Sequence, residues 1–158
     1  MPEKRKEVKV SAQQLIEIYR SDQLKLDKIQ RRQQSLQQIL NEMLVAYEAI
    51  EEIKKAKKDE NVMVSLGAGV YAEAKIAKTS SFKSSLAGNV LVDNPASKLL
   101  SELKEGIEKA KKDLAAVQLE GRKTEQNIQG IATLLQQGQR AVQQASKDTS
   151  NTEPSSVS

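Results

Sequence analysis

Two long stretches of this chain repeat apolar residues every three or four positions, and the stretch between them, from 62 to 93, does not. A sustained stripe of this kind predicts a helix that buries one narrow face, and a helix so long cannot keep that stripe in water without a partner. The interruption therefore decides the architecture. A β-type insert between two helical arms predicts two helices that return on each other with a small sheet module where the chain turns.

The first stripe steps alternately by four and three from Leu15 through Tyr19, Asp22, Leu26, Ile29, Gln33, Leu36, Leu40, Met43, Tyr47 and Ile50. Ser11 precedes it as a helix cap, and the expected helix covers 11–58, roughly 70 Å at about 1.5 Å per residue. The run Lys54-Lys55-Ala56-Lys57-Lys58 fits its end, where cations complement the helix dipole. The second stripe runs from Leu100 through Leu103, Ile107, Ala110, Leu114, Val117, Gly121, Thr124, Ile128, Ile131, Leu135, Gly138 and Val142 to Ala145. Asn94 reads as its cap and Pro95 as its first helical residue, and the expected helix covers 95–146. Gly121, Thr124 and Gly138 weaken this stripe, because a mid-helix glycine costs about 1 kcal/mol relative to alanine. Counting outward from the insert pairs Ile50 with Leu103, Leu40 with Asp113 and Leu114, Leu26 with Asn127 and Ile128, Gln33 with Gly121, and Leu15 with Gly138. Residues 1–10 are charged and expected to fray, and 147–158 lack the apolar content to fold.

Composition agrees with a narrow seam rather than a thick core. Of 158 residues only 3% are aromatic, while 29% are charged, and globular cores lean on aromatic side chains for buried area. The net charge of +4 comes from interspersed signs, so no nucleic-acid partner is expected. The chain has neither Cys nor His, which removes thiolate chemistry, disulfides and the usual general base and zinc ligands. We expect no enzyme, cofactor or metal site. No apolar run approaches the ~20 residues of a membrane span, and no signal-type segment follows the charged start, so the expectation is a cytoplasmic protein with no membrane partner.

The insert contains two β-type runs around Gly67-Ala68-Gly69, then a second pair around Ala87-Gly88-Asn89. A shift of twenty residues lays Ser65 on Ser85, Leu66 on Leu86, Val70 on Val90 and Gly69 on Asn89, where Asn tolerates a left-handed backbone as Gly does. The prediction is a duplicated hairpin over 62–92. Gly67-Ala68-Gly69 is not followed by a helix or a Gly-Lys-Ser/Thr run, so it is no phosphate loop. Four short strands leave open edges that invite another chain. The expected assembly residues are Val64, Leu66, Gly67, Gly69, Val70, Leu86, Gly88, Val90 and Val92; the alternative is that the strands only cap the coiled coil.

With helix, Val64-Ser65-Leu66-Gly67-Ala68-Gly69-Val70-Tyr71, a second hairpin and a second helix in place, the chain resembles a prefoldin α-class subunit over residues 11–146. A single hairpin would resemble the β class. Leu86-Ala87-Gly88-Asn89-Val90 departs from the usual Gly-Ala-Gly of the turn. The resemblance implies a mainly α fold: an antiparallel two-helix coiled coil whose two central hairpins join an oligomeric β-barrel platform. It also implies an ATP-independent holdase in a hexamer of two α-class and four β-class subunits. Such a complex holds unfolded polypeptides at its coiled-coil tips and delivers them to a group II cytosolic chaperonin. At the tip, Leu15, Ile16, Ile18 and Tyr19 on the first arm and Ile131, Leu134 and Leu135 on the second form a wider apolar face than a two-position seam needs. Leu15, Tyr19, Ile131 and Leu135 fit the seam; Ile16, Ile18 and Leu134 lie off it and fit client contact. The basic Lys4-Arg5-Lys6 fits either tip solubility or chaperonin docking. A structural coiled-coil adaptor that handles no unfolded chains is the competing reading.

Overall fold

The computed structural model describes residues 10–149, and the elements run α1 (Ala12–Lys55), β1 (Asn61–Gly67), β2 (Val70–Lys75), β3 (Ser81–Ala87), β4 (Val90–Pro95) and α2 (Ala96–Thr149). α2 runs three residues past its expected end at 146, into the stretch 147–158 expected not to fold; the expectations for residues 1–9, Lys4-Arg5-Lys6 included, and for 150–158 lie outside the described residues. The fold is two long helices with two antiparallel two-stranded hairpins between them. The chain divides into two units, one of 1–33 with 116–158 and one of 34–115.

α1 opens with a reciprocal cap. The Ser11 backbone N–H donates to Gln14 Oε1 at 2.9 Å, and the Gln14 N–H donates to Ser11 Oγ at 3.2 Å. Two otherwise orphaned donors are thereby satisfied. The helix stops three residues short of the expected end. Asp59 takes a left-handed backbone, φ 65°. The Glu60 side chain accepts from the Lys57 N–H at 2.7 Å, and Asp59 N–H donates to the Ile76 carbonyl at 2.8 Å. These bonds turn the chain out of the helix and into β1.

Each hairpin carries a bulge before its turn, and the two registers repeat at twenty residues along their whole length. Asn61↔Lys75 through Ser65↔Tyr71 and Gly67↔Val70 become Ser81↔Pro95 through Ser85↔Leu91 and Ala87↔Val90. The repeat reaches past the strands: Ile76 N–H donates to the Glu60 carbonyl, and Ala96 N–H donates to that of Ser80. Ile76 and Ala96, equivalent by the same shift, are both buried.

Two turn expectations need correction. Asn89 is not left-handed; the position that both turns hold at positive φ is 68/88, with Ala68 at 50° and Gly88 at 57°. The first turn adds Gly67 and Gly69 at 94° and 78°, so the duplicated sequences make turns of different type. Asn94 does not cap α2. It sits in β4 opposite Phe82, its side-chain N–H donates to Ser84 Oγ at 2.7 Å, and its Oδ1 accepts from Lys98 at 3.2 Å. β4 continues through Pro95, so α2 starts directly from the strand.

In the unit 34–115, Leu40, Ile107, Ala110 and Leu114 form a buried cluster with Leu36, Met43, Leu44 and Tyr47 packed against it. Met43 Sδ lies 3.1 Å from where a Cβ on Gly106 would stand, so a larger residue there would require the methionine side chain to shift by a few tenths of an ångström. In the other unit, Ile29, Val117 and Thr124 are buried. Thr124 donates its hydroxyl to the Glu120 carbonyl at 3.0 Å, which satisfies the one buried polar side chain among the described residues. Gly121 faces Ile29, whose Cγ2 is 3.3 Å from a would-be Cβ. The expected partner of Gly121 is Gln33, one turn away; the observed helix ends at Lys55 and Ala96, in place of 58 and 95, account for only part of that offset. Gln33 lines the same small concavity with Gln30, Gln118 and Arg122. Lys25 and Glu120 make an exposed ion pair at 3.1 Å, worth little on its own.

Candidate functional site

The seam and the surface separate cleanly along α1. Between residues 15 and 40, only Leu15, Tyr19, Asp22, Leu26, Ile29, Gln33, Leu36 and Leu40 are buried or half-buried. Apolar residues outside that set are therefore available to solvent for a reason other than helix pairing. On α2 the stripe is covered as far as Leu135; Gly138, Val142 and Ala145 are exposed, as is every residue from 136 to 147. α2 has 54 residues against 44 in α1, and the excess runs on beyond the start of α1.

At that end the two helices frame an open groove of about 770 Å³, lined by Val10, Ala12, Leu15, Ile16, Leu134, Leu135, Gly138, Gln139, Val142 and Gln143. Of the seven tip residues named from sequence, Leu15, Ile16, Leu134 and Leu135 meet here. Tyr19 and Ile131 are half-buried and Ile18 is 45% exposed, and none of these three lines the groove. Leu15 and Leu135 form its floor from the seam, while Ile16 and Leu134 stand at 39% and 54% exposure. Val10 was not foreseen. Its signal was local: it precedes the Ser11 cap, and Leu15 is the fourth helical residue, the spacing of a hydrophobic staple. Apart from glutamine amides, the lining is apolar. It offers no titratable pair, and what it can do is bury apolar side chains, each worth about 1.5–3 kcal/mol when fully covered.

The hairpins present a second apolar surface. Val64, Leu66, Val70, Leu86 and Val90 are exposed, and Gly67, Gly69 and Gly88 hold the turns at positive φ. Val92 differs: it is half-buried, beside Ser84 in the register. Met63, Tyr71 and Leu91, each more than half exposed, are strand neighbours of Val64, Val70 and Val90 and so add apolar side chains on the opposite face of each hairpin; the sequence reading does not single them out. Because β1–β2 and β3–β4 are separate sheets, each hairpin keeps unpaired strand edges. Phe82 and Ser84 also face Met43, Ile50, Ile53, Leu99 and Leu103 across an apolar hollow of about 480 Å³.

The model of the family described as "Prefoldin subunit" matches residues 23–144, which takes in both hairpins and most of both helices. The chain belongs to the prefoldin family. Solved prefoldins share its fold. A chain of the filamentous prefoldin from Methanocaldococcus jannaschii is similar at TM-score 0.59 and 14% identity, over 74% of this chain and 97% of that one. The prefoldin beta subunit from Thermococcus strain KS-1 is similar at TM-score 0.53 and 20% identity, over 80% and 90% respectively. No curated protein sequence matches. Prefoldin is a chaperone family, and its members are subunits of multi-subunit complexes. No helix among the described residues is long and apolar enough to cross a membrane.

Proposed function

We propose that this prefoldin is an α-class subunit of a cytoplasmic hexamer of two α-class and four β-class subunits. It holds unfolded polypeptides at its coiled-coil tip without ATP and passes them to a group II chaperonin. The observation that carries the client-binding part is the groove between the start of α1 and the exposed end of α2. Its walls are apolar, it is open, and the helix start beside it is capped by reciprocal bonds between the backbone N–H groups and side chains of Ser11 and Gln14. A groove of this size covers a few side chains at most, so one tip binds weakly. Several tips on one complex raise the affinity through effective concentration. The α-class assignment rests on the duplicated hairpin, and the assembly role on the exposed apolar strands and open edges.

The test is Ile16→Ser combined with Leu134→Ser, two groove-lining residues, in the reconstituted complex. Their side chains are 39% and 54% exposed, so helicity should barely change while suppression of aggregation of several unrelated denatured proteins falls. Full suppression by the variant refutes the tip assignment. A fixed single partner and no suppression by the unmodified complex point to the adaptor.

A further inference from the structure

We infer that Gln139 and Gln143 hydrogen-bond the main chain of an extended client segment, so that the tip groove selects uncharged stretches with free backbone amides and not apolar side chains alone. The inference rests on the reading of that groove as the client site. Both glutamines line it and both are exposed. The Gln143 backbone carbonyl accepts from Ser146, but neither side-chain amide has a hydrogen-bond partner among the described residues. On α1, by contrast, Gln37 and Gln38 donate theirs to Asn41 and Glu42. A side-chain amide both donates and accepts, as the backbone of an unfolded chain does.

The spacing fits. Gln139 and Gln143 stand one turn apart on one face of α2, about 6 Å along the helix. In an extended chain, peptide groups that point the same way recur every second residue, about 6.6 Å apart. Two glutamines can therefore meet two successive same-side peptide groups, and the side chains on one face of the segment pack on the apolar lining. Gly138, beside Gln139, lines the groove too, and nothing lies within 4 Å of a Cβ built on it. A backbone has room to come close there. Charge complementarity points the same way. From 126 to 146 the only charged residue is Arg140, in a chain that is 29% charged, and Arg140 does not line the groove. A charged client side chain would lose water in the groove with no counter-charge to meet it, so an uncharged segment is the occupant that fits.

The test combines Gln139→Met with Gln143→Met in the full chain within its reconstituted complex. Methionine matches glutamine in length and helix propensity and is more apolar. A groove that works by apolar burial alone would hold a denatured protein equally well or more tightly. Main-chain bonding predicts the opposite sign: each lost bond is worth about two- to tenfold, so the double variant should capture about fivefold more weakly or worse. Gly138→Ala should also weaken capture, while raising the thermal midpoint by about 2–4 °C, because its methyl meets nothing in the free chain. A peptide probe of alternating valine and alanine should compete for the unmodified complex about fivefold better than the same peptide N-methylated at alternate residues. Unchanged or tighter capture by the methionine variant overturns the inference, as does equal competition by the two peptides. Loss of capture by the Ile16→Ser, Leu134→Ser variant beside full capture by the methionine variant would leave the client site standing and remove the inference. No capture by the unmodified complex would remove both.

Discussion

Gly121 and Gly130 lie on the same helix of the same unit, and replacing each by alanine should have opposite outcomes. An interior helical glycine is about 0.8–1 kcal/mol less favourable than alanine. At Gly130 nothing stands within 4 Å of an added Cβ, so Gly130→Ala should recover most of that amount. For a chain of this length the gain corresponds to a rise in thermal midpoint of about 2–4 °C. At Gly121 the new methyl would stand 3.3 Å from Ile29 Cγ2, tighter than ordinary van der Waals contact. Ile29 is buried and β-branched, and its χ1 is restricted in a helix, so it cannot simply swing aside. Overpacking a seam costs about 1–3 kcal/mol; Gly121→Ala should therefore be neutral or destabilising despite its better helix propensity. Ile29→Leu removes the Cγ2 and should restore part of the difference in a double-mutant cycle. The assay is thermal unfolding followed by helical circular dichroism, with all variants in the same assembled state. Equal gains at 121 and 130 would refute the reasoning. That result would mean that Gly121 faces Gln33, one turn away, and that the helix register is the one counted from the sequence.

Two further perturbations probe the hairpins. Ala68→Asn should stabilise the first hairpin by about 0.5–1 kcal/mol, because Asn-Gly suits two successive positive φ values, while Gly88→Ala should cost about 1–2 kcal/mol from the backbone alone, since nothing crowds Gly88. Amide exchange in β1–β4 reads both, and an unaffected Gly88→Ala hairpin would contradict the assigned turn. Replacing residues 61–95 by a short flexible linker should leave helical chains that no longer enter a hexamer; a hexamer by native mass measurement would show that assembly resides elsewhere.

The periodic parts of this fold were legible because their physics is local. From Leu15 to Leu40 the stepping rule picks out the covered residues of α1, including Asp22 and Gln33, which no hydrophobicity criterion alone would select. The twenty-residue repeat was visible in Ser65/Ser85 and Val70/Val90 and extends to the backbone bonds of Ile76 and Ala96. Other features depend on contacts that sequence spacing does not encode. Residue type pointed to Asn89 as left-handed, yet the bulge before each turn shifts that demand to 68/88, where the chain has Ala in one copy. Asn94 looks like a cap until its amide is seen to bind Ser84 across the strand pair. Part of the one-turn difference in register comes from α1 stopping at Lys55, where the chain turns on a tertiary bond, Asp59 to Ile76. At the tip, the off-seam residues could be read from the stripe. The groove itself could not, because it depends on which side chains of 10–16 and 134–143 come together, Val10 among them.

Leu134 and Leu119 provide the most direct test of client capture at the tip, because both are leucines on α2, both are 54% exposed, and only Leu134 lines the groove. A photo-activated cross-linker placed at each position in the assembled complex, with a denatured protein added, reports where the client sits. Strong cross-linking from 134 and background levels from 119 are expected. Equal yields from the two positions would contradict the account, since exposed apolar surface alone, wherever it lies on the helix, would then be enough to bind.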